Sequence, residues 1–104
     1  MSRGPDAGTL IERALVAGAC ESGCPVTIPV SDSRRWASVT FSGAQHAITL
    51  AATHSVQFDA WIAGLPETEF ALRGHLVADL VVQRVARDGD AVRVELEILT
   101  IEER

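Results

Sequence analysis

Residues 72–102 read LRGHLVADLVVQRVARDGDAVRVELEILTIE, and this stretch decides the fold. Leu76, Ala78, Leu80 and Val82 alternate with His75, Val77, Asp79, Val81 and Gln83. After Asp88, Gly89 and Asp90, a second alternation sets Val92, Val94, Leu96 and Ile98 against Arg93, Glu95 and Glu97. A period of two on either side of a Gly-Asp turn marks two antiparallel strands, about 72–87 and 91–102. A plain two-residue Asp-Gly turn sets Leu80 against Glu97 and Val82 against Glu95. A three-residue loop of Arg87, Asp88 and left-handed Gly89 pairs Val82 with Val94 and Leu80 with Leu96, so the bulged turn is expected.

Working toward the N-terminus, Ser55 caps a short helix that stacks Phe58, Trp61, Ile62 and Leu65 on one stripe, with Gly64 and Pro66 at its end. Two more alternating runs, 35–41 and 45–52, flank Gly43 and Ala44. A turn there places Phe41 opposite His46, Val39 opposite Ile48 and Ala37 opposite Leu50. Residues 26–30 form a further short strand, confined to an edge because Pro29 has no N–H to donate. Ser31, Asp32 and Ser33 read as a loop. Thr9 and Glu12 form a capping box that opens a first helix ending at Gly23 and Pro25. The expected order is α-β-β-β-α-β-β: an α+β domain over 9–104, after a flexible N-terminal tail at 1–8. Its five-stranded, mainly antiparallel sheet carries both helices on one face and ends in a long C-terminal hairpin.

The 104 residues match a common domain size, and 47% hydrophobic with 22% charged residues is a globular composition. All nine basic residues are Arg, a bias typical of GC-rich bacterial genomes. A net charge of −5 and the lack of a basic stripe argue against nucleic acid as a partner. No apolar run reaches the length of a membrane-spanning helix, and acidic residues interrupt the start of the chain where a leader would be apolar, so the cytoplasm is expected.

The second face of the sheet is expected to carry Trp36, Val77, Val81, Val85, Leu99 and Ile101. Two helices shield only one face, and a mean hydropathy of +0.17 is high for so small a body. A homo-oligomer, first of all a dimer, is the simplest cover, with a protein or small ligand as a further partner. Trp36 reads as an interface anchor in preference to a ligand platform.

Chemistry has three candidate sites. His75, Asp79, Glu95 and Glu97 lie on the second face of the hairpin, and the bulged register sets Asp79 opposite Glu97. Such a set suits proton sharing or a divalent cation, against an ordinary solvated face. Cys20 and Cys24, four apart, read as structural thiols, since no further Cys completes a zinc or iron–sulfur set. His46 and His54 lie too far apart along one strand to share an ion; His46 is expected to cap the core edge beside Phe41. No phosphate loop, dinucleotide fingerprint or nucleophile elbow is present, so no cofactor or metal is expected. The reading is a small, non-catalytic, oligomeric protein- or ligand-binding module, with an acid–base or metal-dependent enzyme as the alternative.

Overall fold

A computed structural model describes residues 6–103. The elements are α1 (Ala7–Glu21), β1 (Thr27–Ala37), β2 (Ser42–Thr53), α2 (Val56–Gly64) with a 3-10 turn at Leu65–Glu67, β3 (His75–Asp88) and β4 (Ala91–Glu102). The fold is α+β, and the sheet has four strands in the order β1-β2-β4-β3, with every adjacent pair antiparallel.

The strand order follows from the chemistry of each run. β4 has neither Pro nor Gly and alternates without a break, so both its edges pair fully, with β2 and with β3. β1 contains Pro29, which lacks a ladder donor; it lies at the edge, with an irregularity between Thr27 and Val30. β3 forms the other edge and carries two irregularities, around Ala78 and around Gln83. Bulges and a proline blunt both free edges against pairing with other chains. β2 and β3 run in the same direction with β4 between them, so the connection needs a crossover, and α2 supplies it.

Ile48 and Leu50 of β2, Val92, Val94, Leu96 and Ile98 of β4 and Leu80 of β3 share one face of the sheet. Ile11, Leu15 and Ala19 of α1, Phe58 of α2 and Leu65 close this core. Both helices therefore cover the same face, as expected. Phe58 and Trp61 pack with ring centroids 6.1 Å apart. The Trp61 indole lies against α1 at Gly18, with its Nε1 at ordinary contact distance, 3.5 Å, from where a Cβ would stand. No helix among the described residues is long and apolar enough to cross a membrane.

Four expectations are corrected. Five strands become four, because most of 26–30 and the first part of 35–41 belong to one strand, Thr27–Ala37, running straight through Ser31, Asp32 and Ser33. The β1–β2 turn lies at 38–41, not at Gly43 and Ala44. There Ser38 N–H donates to the Phe41 carbonyl (2.7 Å) and Phe41 N–H donates to Ser38 Oγ (3.0 Å). Ser33 is consequently opposite His46 and Ser31 opposite Ile48, while Val39 stands fully in solvent at the tip. The β3–β4 turn is also tight, with Asp88 paired to Ala91 and Gly89 left-handed at φ 61°; the extra residues sit inside β3 instead. Val82 therefore meets Leu96, and Leu80 meets Ile98. Finally, α1 opens at Ala7 under an Asp6 cap, whose carboxylate accepts the Thr9 N–H at 2.8 Å, ahead of the expected Thr9 cap. Residues 1–5 of the expected tail lie outside the described residues.

Candidate functional site: the outer face of the sheet

Register places four residues side by side in each row of the outer face. Trp36, Gly43, Ile101 and Leu76 form the row nearest the β1–β2 turn. Arg34, Gln45, Leu99 and Asp79 form the next, followed by Asp32, Ala47, Glu97 and Val81. One end of this face is thus apolar, and charge increases away from it. The Trp36 ring lies across Gly43: a Cβ on that glycine would sit 3.0 Å from the ring. Ile101 and Leu99 are half-buried, whereas Leu76 is 52% exposed and Val81 41%. The Trp36 indole N–H is buried with no hydrogen-bond partner among the described residues.

The expected outer-face set divides. Trp36, Val81, Leu99 and Ile101 are on this face. Val77 and Val85 are not: the bulges at Ala78 and Gln83 each reverse the alternation, so Val77 pairs with Thr100 and Val85 with Val94 on the core side. Val77 packs against the core cluster, while Val85 stays exposed at the edge. The same reversal turns Leu76 outward, contrary to expectation.

The hairpin carboxylates also separate. Asp79 pairs with Leu99, not with Glu97, which is opposite Val81; Glu95 is opposite Arg84. His75 pairs with Glu102 on the core side, where its Nδ1 is buried and unpartnered among the described residues. The geometry brings no three metal-ligating side chains together among the described residues.

His46 sits beneath the N-terminal turn of α1, not beside Phe41. Its Nδ1 is 2.7 Å from Ser33 Oγ and its Nε2 2.9 Å from Thr100 Oγ1. Burial pushes the imidazole below its ordinary pKa; the Asp6 and Glu12 carboxylates oppose that push and His75 adds to it. Placing Ser33 in a loop hid this network, for only a continuous strand puts its hydroxyl opposite His46.

Cys20 and Cys24 are both free thiols and do not share a helix face. Gly23 turns left-handed at φ 78°, and Cys24 passes into the core, where burial raises its thiol pKa. Cys20 stays exposed, at one end of a groove between α1 and β1 that Val16, Ala17 and Ile28 also line. His54 pairs with Asp59 at 3.0 Å.

No known protein family matches the chain, and no curated protein matches it. Among solved structures it is similar to a chain of "Virion of native gene transfer agent (GTA) particle", at 16% identity and a TM-score of 0.47, over 100% of this chain and 75% of that chain.

Proposed function

We propose that the chain is a small non-catalytic module that works as an oligomer and binds through the apolar end of its outer sheet face. The observation that carries this reading is the Trp36, Ile101 and Leu76 row, which both helices leave uncovered because both pack on the other face. A contiguous apolar patch around a tryptophan is what an assembly surface offers, and aromatic anchors concentrate the binding energy of such surfaces. The acid–base alternative loses its geometric basis, since His75 is on the core side and Asp79 no longer faces Glu97. Arg usage without Lys and two unpaired thiols support a bacterial cytoplasm as its location.

Molar mass in solution tests the reading. Light scattering at micromolar concentration is expected to give a multiple of 11.1 kDa, and Trp36→Ala is expected to shift it toward the single chain. A wild-type chain that stays monomeric would sink the reading.

A further inference from the structure

We infer that the occupant of this face is a second copy of the chain, related by a two-fold axis that runs along the strands between the two sheets. The inference rests on the oligomeric reading and specifies its geometry. Such an axis stacks β1 of one copy over β3 of the other, and β2 over β4, with every row kept at its own level. Twisted sheets stacked in this aligned way pack about 10 Å apart.

Row by row, the face is complementary to itself under that operation. In the first row Trp36 meets Leu76 of the second copy, and the platform formed by the Trp36 ring over Gly43 receives the second copy's Ile101. In the second row Arg34 meets Asp79 of the second copy, and Gln45 meets its Leu99. In the third, Asp32 meets Val81 and Ala47 meets Glu97, so no acid opposes an acid.

Arg34 and Asp79 explain why the axis runs along the strands. Neither has an ion-pair partner among the described residues, and three strand spacings, about 14 Å, keep them apart within one chain. An axis across the strands through this apolar row would stack Trp36 on Trp36 and Leu76 on Leu76, in place of matching the large ring with the smaller side chain. It would also carry Arg34 and Asp79 past the end of the facing sheet with no partner. Only the axis along the strands pairs these two charges, and it does so twice, once at each edge of the stacked sheets in the row beside the apolar one.

Charge reversal tests the arrangement. Sedimentation equilibrium is run on the full chain, on Arg34→Asp, on Asp79→Arg and on the double variant, with circular dichroism confirming that each is folded. Both positions are exposed, so the fold tolerates the changes. The wild type is expected to dimerise, each single variant to weaken the dimer about tenfold or more by opposing like charges, and the double variant to recover it. Single variants that dimerise like the wild type, a double variant that does not recover, or a wild-type trimer would overturn this packing while leaving an oligomeric module standing. A monomeric wild type would overturn the underlying reading as well.

Discussion

The carbonyl oxygen of Thr100, on β4, fills the space that a side chain on Gly43 would need. Backbone meets backbone there, so relief requires the two central strands to part, not a rotamer to swing. Gly43→Ala is therefore expected to cost about 3 kcal/mol, the upper range for single substitutions. Gly64, at the end of α2, has open space around its Cα, and Gly64→Ala is expected to be neutral or stabilising. Urea unfolding of the two variants checks the contrast; equal midpoints would show that β2 and β4 accommodate the methyl group.

Gly43 also marks the point where sequence reasoning and structure part. A glycine between two alternating runs reads as a turn, yet here it serves a close approach within a strand. The turn is made five residues earlier, from Ser38, whose hydroxyl accepts the Phe41 N–H, and a lone serine between Ala37 and Val39 announces this weakly. Alternation was legible wherever one face is fully buried: 92–98 in β4, 46–50 in β2, and the Phe58 stripe of α2. It failed in β3, because an edge strand tolerates an extra residue and nothing in Leu76, Val77 and Ala78 shows where that residue lies. Trp36, Val81, Leu99 and Ile101 could thus be assigned outward from sequence, while Leu76 and Val77 exchanged faces. Arg34 entered the candidate site only through its row partners, which no local pattern reveals.

Asp6 caps α1 through the Thr9 N–H, and Asp6→Ala is expected to destabilise the fold by about 1 kcal/mol. Two hydrogen bonds from Thr9, backbone first, hold the Asp6 carboxyl below its ordinary pKa. Its contribution is present above about pH 4 and is lost as pH falls through the lowered folded value. Asp6→Asn keeps an acceptor without the titration. Its stability is expected to fall less than the wild type's on acidification; parallel acid limbs in thermal melts would contradict the cap's electrostatic part.

The two thiols differ in access. Cys20 is exposed, whereas Cys24 is buried with a raised pKa. A thiol reagent at neutral pH is expected to label one cysteine per folded chain and two after denaturation, since only an accessible thiolate reacts. Intact mass before and after labelling, with Cys20→Ser as the control, reads this directly. Fast labelling of Cys24 in folded Cys20→Ser would mean that the end of α1 opens.

His46 makes stability depend on pH near neutrality. The Thr100 hydroxyl reaches the Ala44 carbonyl at 3.4 Å, so it accepts from His46 Nε2–H while Nδ1 accepts the Ser33 hydroxyl. All three polar groups are then satisfied by a neutral ring, the form that burial favours. With the folded pKa below the unfolded value of about 6.5, the unfolded chain takes up the proton first as pH drops. The contribution of His46 is therefore complete above about pH 6.5, declines from there toward the folded pKa, and levels off below it. His46→Gln is expected to be less stable at pH 7 by about 1–3 kcal/mol, because the Ser33 and Thr100 hydroxyls lose their shared partner. It is also expected to flatten the decline between about pH 7 and pH 5, since glutamine has no proton to bind. Unfolding free energies across that window separate the two effects: a variant as steep as the wild type would mean that the decline originates elsewhere, even if the loss at pH 7 is found.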